Sequence, residues 1–215
     1  MTRDEWLSAD ERQIDTVAGS LSPRRRRLLA AAACRTLQEW IDAPAVEAAL
    51  QTIETFADTG KTRAALKRVR KSIELLRAER STQRDRAELA FALFVVQVAA
   101  SENAYGGTVL EALRCLPPLL WSEGDADPTA RLRLYPAIAD ITGAPATSFS
   151  PAWRTSSVIE LAGSIYASRD FSAMPILADA LQDSGCDNTD ILHHCRQGGT
   201  HVRGCWLLDW ILELS

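Results

Sequence analysis

All three histidines, His193, His194 and His201, and three of the five cysteines, Cys186, Cys195 and Cys205, fall between positions 186 and 205. Imidazole nitrogen and thiolate sulfur are the donors that zinc prefers, and a structural zinc site needs four of them in a tetrahedron. His201 and Cys205 are four apart. A last helix that included both would project them from one face as a pair of ligands. Cys195, or His194 in its place, and Cys186 would complete the set from a preceding short helix and turn. The candidate metal ligands are therefore Cys186, Cys195, His201 and Cys205, with His194 as the alternate.

The tail has no CxxC chelate, and His194 and Cys195, as neighbours on a helix, point about 100° apart. Two other readings stay open. Cysteines serve as small buried hydrophobes and histidines line helix ends, and Gly204-Cys205-Trp206 suits close helix packing. Thiol-based or Cys-His chemistry is the other. Trp206 and Trp210, one helical turn apart, are the candidate anchors for a partner, with core packing as the plain alternative.

Elsewhere, Gly60-Lys61-Thr62 resembles the end of a phosphate-binding loop. The glycine that such a loop needs five positions earlier is replaced by Thr55, so a helix C-cap followed by an N-cap is the better reading. Arg24 to Arg27 with Lys67, Arg68, Arg70 and Lys71 make the front half mildly basic. Four consecutive arginines spread around a helix, so nucleic acid is not the expected partner. No nucleophile elbow, HExxH helix or Rossmann glycine triplet occurs, and no catalytic residue is named.

These residues must be positioned by helices. Apolar residues recur at three- and four-residue steps, as in Val46, Ala49, Leu50, Ile53 and Ala57, or Leu66, Val69, Ile73 and Leu76, whereas alternating strand patterns are absent. Thr2 and Glu5 form a capping box. Ser22-Pro23 opens a helix over Arg24 to Trp40, and Thr62 caps the helix after Gly60. Thr82 to Ala100 reads as a helix surrounded by others. A segment from Thr108 to Leu116 stops at Pro117-Pro118, and one from Pro128 should kink or divide at Pro136. Three further helices and a closing one from Val202 to Leu214 follow the loop 143–151. The fold class is all-α, a compact bundle or irregular stack of about ten helices. It is read as a single domain over 1–215, and any subdomain boundary falls in that loop.

The chain has 215 residues, 47% hydrophobic and 24% charged, with net charge −4. Residues 1–90 carry 17 Lys/Arg against 14 Asp/Glu, so the negative balance lies in the remainder. This composition excludes disorder and fibres. The longest apolar run, from Leu89 to Ala100 with one glutamine, is too short to span a bilayer. The start lacks a secretory pattern, and an odd number of cysteines suits a reducing compartment. A cytoplasmic protein is expected.

Both ends of the chain resemble a family of all-helical domains common in planctomycete bacteria. At the front the likeness lies in Thr2 to Leu7, Arg24 to Arg35 and Glu54 to Asp58. At the back it runs through Pro151-Ala152-Trp153, Ile165-Tyr166, Met174 to Leu181, Gly185-Cys186, His194-Cys195-Arg196 and His201 to Trp206. The resemblance implies a helical domain with the Cys/His tail as its signature, and it implies no activity or ligand. The leading functional expectation is a non-enzymatic helical interaction module that engages a protein partner or a second copy of itself. The alternative is a structural-zinc or thiol-based regulatory domain.

Overall fold

The computed structural model describes residues 2–36, 44–61, 63–81, 87–101, 128–143 and 149–214. Among them are eleven α-helices and no strand. In chain order these are α1 (Arg3–Ser8), α2 (Glu11–Ser20), α3 (Pro23–Thr36), α4 (Pro44–Thr59), α5 (Arg63–Ser81), α6 (Ala87–Ala99), α7 (Pro128–Thr142), α8 (Ser156–Ser168), α9 (Met174–Asp183), α10 (Thr189–Arg196) and α11 (Trp206–Leu212). Single 3-10 turns at Pro151–Trp153 and Phe171–Ala173 precede α8 and α9. The expected cap at Thr62, the stretch from Thr108 to Pro118 and the centre of the 143–151 loop lie outside the described residues, as do Leu37 to Trp40.

Two compact units divide the chain, Met1–Tyr135 and Pro136–Ser215. In the first, the capping box of Thr2 and Glu5 starts α1. Helix α4 buries Val46, Ala49, Leu50 and Ile53 and ends at Gly60, whose φ of 61° is the left-handed conformation that glycine adopts without strain. Leu66 and Ile73 of α5 are likewise buried. Helix α3 packs on α4 and α6, and α5 on α4 and α6. In α6, Ala92, Leu93, Val95, Val96 and Ala99 are all sealed from solvent, as its almost unbroken apolar sequence requires.

The arginine run is structural in part. Arg24 pairs with Asp58 at 2.9 Å, and Arg27 donates to the carbonyls of Ala99 and Ser101 while its guanidinium covers the Phe56 ring. A guanidinium, with several donors, can satisfy more than one carbonyl left open at the end of a buried helix such as α6.

Helix α7 runs through Pro136 undivided. Proline removes one backbone donor, but Leu134, Ala137, Ile138 and Ile141 of the same helix are buried, which offsets the loss. No helix among the described residues is long and apolar enough to cross a membrane.

The second unit has its own core. Val158, Ala162, Ile165 and Tyr166 of α8 meet Met174, Leu177, Ala178 and Leu181 of α9, Ile191 and Cys195 of α10, and Leu207, Leu208 and Ile211 of α11. Thr155 caps α8, and Asn188 caps α10 by accepting from Asp190 and Ile191. Trp153 donates its indole N–H to the Gly185 carbonyl, and Arg154 donates to the carbonyl of Ile211, so the entry to α8 is tied to the turns that end α9 and α11.

Candidate metal centre

Asp140 lies on the last turn of α7 among Ala137, Ile138 and Ile141, and it is buried. A carboxylate in such a place requires partners. Its Oδ2 accepts the Val202 N–H at 2.8 Å, and its Oδ1 lies 2.8 Å from Nδ1 of His201 and 3.4 Å from Nε2 of His194. The same His194 nitrogen is 3.2 Å from Sγ of Cys205. One ligand atom from each of Asp140, His194, His201 and Cys205 falls within 4.8 Å of all the others.

Three local devices assemble this group. Helix α10 presents His194 on the side away from Cys195, whose thiol enters the core. Helix α11 begins at Trp206, so His201 and Cys205 precede it and share no helix face. They converge instead through a turn, in which Cys205 donates its N–H to the Val202 carbonyl and Gly204 adopts a φ of 93°. A side chain at that φ would strain the backbone. The Trp206 ring then closes one side of the site, its centroid 4.6 Å from that of His194.

The group is nearly dry. Side-chain exposure is 3% for Asp140, 7% for His201 and 18% for His194, and Cys205 is fully buried. Burial pushes His194 down to about 4, against the pull of the Asp140 carboxylate. Burial, reinforced by the charge of Asp140, raises the Cys205 thiol well above its ordinary range. Without an ion, therefore, His194 is a neutral imidazole whose Nε2 lies against a protonated Cys205 thiol. Aspartate faces the same nitrogen of His194 that faces sulfur, and a relay through the other ring nitrogen, as a nucleophilic cysteine would use, is not formed. A buried, protonated thiol is also inert as a nucleophile.

A dication reverses this balance. Carboxylate and thiolate supply two negative charges and the imidazoles none, so a bound divalent ion would leave the assembly neutral, the condition that a buried ionic group needs. Tetrahedral zinc with bonds of 2.0–2.3 Å holds its donors about 3.3–3.8 Å apart. The His194–Asp140 and His194–Cys205 spacings already approach this range. The Asp140–His201 pair, now hydrogen-bonded at 2.8 Å, must open by about half an ångström, and any of the remaining pairs near the 4.8 Å limit must close.

Of the residues singled out from sequence, His194, His201 and Cys205 are thus brought together. Cys186 and Cys195 are placed in the hydrophobic core of the unit, outside the four-donor group, and burial pushes the Cys195 thiol up to about 12. Trp206 is 3% exposed, and Trp210 is half-buried with its ring edge-to-face on Trp206 at 5.3 Å and near Phe149. Asp140 was not anticipated. Its signal is a lone charge inside Ala137-Ile138-Ala139-Asp140-Ile141, where a solvated residue would interrupt a buried face.

Comparison of the chain with protein-family models, with curated proteins and with solved structures finds no match.

Proposed function

We propose that the unit Pro136–Ser215 is a zinc-binding helical module in which Asp140, His194, His201 and Cys205 hold one ion in a structural role. The observation that carries this reading is the convergence of four donor atoms of mixed type within 4.8 Å in a nearly dry site. Two imidazoles, a carboxylate and a single thiolate suit zinc better than the oxygen cages of calcium or magnesium. Four protein donors leave no open position for substrate, which favours a structural ion over a catalytic one. Three of the four donors lie in the tail segments that carry the family resemblance.

The ion would join the end of α7 to α10 and to the residue that starts α11. Its binding energy would then be folding energy for the whole unit. On this reading the module acts through its surface, as a platform for a protein partner or a second copy, and the metal fixes the shape of that surface.

Cobalt substitution with thermal melting tests the reading. The protein with Co²⁺ in place of the native ion should show the visible bands of a tetrahedral centre and a thiolate-to-cobalt charge-transfer band that Cys205→Ser removes. Stripping the ion with a strong chelator should lower Tm, and zinc should restore it. Octahedral cobalt bands, or a Tm indifferent to the chelator, would refute the assignment.

A further inference from the structure

Among the described residues, two large hydrophobic side chains stand in solvent, Leu75 on α5 and Ile176 on α9, each 60% exposed. Each is one end of a stripe. On α5, Lys71 and Arg68 precede Leu75 by four and seven positions, and on α9, Asp179 and Asp183 follow Ile176 by three and seven. Such steps hold three side chains on one helix face over about 10 Å of axis, and all six residues are exposed. One stripe is apolar then cationic, the other apolar then anionic.

The stripes run in opposite senses along their helices. Laid antiparallel, α5 and α9 place Leu75 against Ile176 and Arg68 against Asp183, with Lys71 and Asp179 between them, staggered by one residue or about 1.5 Å. A parallel pair that joined Leu75 to Ile176 would carry the charges apart. Each helix also bears its charge at the end that its own dipole disfavours. Helix α5 opens on Arg63 with no acidic residue in its first turn, and α9 closes on Asp183 with no basic residue in its last. In the antiparallel pair the cationic start of one helix lies beside the anionic end of the other, which offsets both. Within the chain, Lys71 reaches Glu74 at 3.3 Å, Asp179 meets Arg196 at 2.8 Å and Arg68 donates to the Ala64 carbonyl. Solvent-exposed contacts of this kind exchange partners at little cost.

We propose that α5 of one copy of this chain docks antiparallel on α9 of a second copy, with Leu75 on Ile176 and the Arg68 and Lys71 cations on Asp183 and Asp179. Each contact uses a different face from each copy: two copies that meet twice close a dimer, and copies that meet once extend a chain. One helix pair buries less surface than a standard stable interface, so association is weak and concentration-dependent. The inference names the surface for the second copy in the platform reading and rests on that part of it; the ion takes no part.

Sedimentation velocity on the full chain at low salt tests it. The average sedimentation coefficient should rise across about a hundred-fold range of concentration and fall back with added salt. Leu75→Asp and Ile176→Lys, both at exposed positions and checked to melt as the parent does, should each weaken association by about ten-fold or more. An equimolar mixture of the two should nevertheless form one-to-one complexes, because each variant keeps the face that the other has lost. A parent chain that stays monomeric throughout would overturn the inference, as would association that survives in both variants or a mixture no more associated than its components. Zinc content measured on the same samples keeps the readings apart: a monomer holding one equivalent of zinc defeats the docking and leaves the metal centre intact, and an associating chain without metal does the reverse.

Discussion

Oδ1 of Asp140 meets Nδ1 of His201 at 2.8 Å across 61 positions of sequence, and the other oxygen of the same carboxylate holds the N–H of Val202. One carboxylate thus fixes both the imidazole and the turn behind it. The end of α7 is thereby part of the site, although every histidine and cysteine of the group comes from the tail.

Asp140 should consequently matter as much as any tail residue. Asp140→Ala removes a donor, unbalances the charge of the bound ion and frees the Val202 N–H. Loss of a second-shell partner costs metal sites about 10- to 100-fold in affinity, so loss of this donor should exceed that range. Competition with a chromophoric chelator measures it, and an affinity within three-fold of the parent would show that the carboxylate is a bystander. Asp140→Asn, which keeps an oxygen donor without the charge, should fall between the two.

The cysteines should divide cleanly. Cys205→Ala and His194→Ala should lose the ion, while Cys186→Ala and Cys195→Ala should keep it and lose stability through the small cavity left in the core, by about 1 kcal/mol. Metal content and denaturant midpoints taken on the four variants separate these effects. Loss of metal from Cys195→Ala with retention by His194→Ala would reverse the donor set.

The helical class was legible because it rests on local periodicity. The faces of α4 and α5 read from Val46, Leu50, Ile53, Leu66 and Ile73 are the buried faces observed. The tail donors were legible in part, since residue type alone marks His194, His201 and Cys205. Geometry was not. A four-residue interval suggested a helix face, but a left-handed glycine at 204 bends the chain into a turn before α11 begins. Asp140 was invisible because its partners lie in another part of the chain, and no local pattern records a contact over that separation.

Gly204 supplies the next test. Gly204→Ala places a Cβ on a backbone with φ of 93°, which should cost about 1–2 kcal/mol. The turn carries two donors, so zinc affinity should fall together with stability. A denaturant titration in the presence and absence of zinc measures both, and an unchanged midpoint would mean that the turn relaxes without penalty.

Thiol chemistry follows from burial. Cys34, Cys186, Cys195 and Cys205 are all free and buried, with Cys34 and Cys195 pushed up to about 12 by desolvation. At pH 8 a thiol of that kind is ionised in only about one molecule in ten thousand. With the fifth cysteine, Cys115, replaced by serine, the folded metal-free protein should therefore leave an aromatic disulfide reagent almost untouched until denaturant is added, when four thiols should react. Rapid reaction of a native thiol would show that one of these side chains is open to solvent.

The number of zinc ions per chain, measured by elemental analysis of protein purified without chelator from zinc-replete cells, bears most directly on the central claim. The account predicts close to one equivalent in the parent protein and a background level in Cys205→Ala. A parent protein with metal at that same background would contradict it.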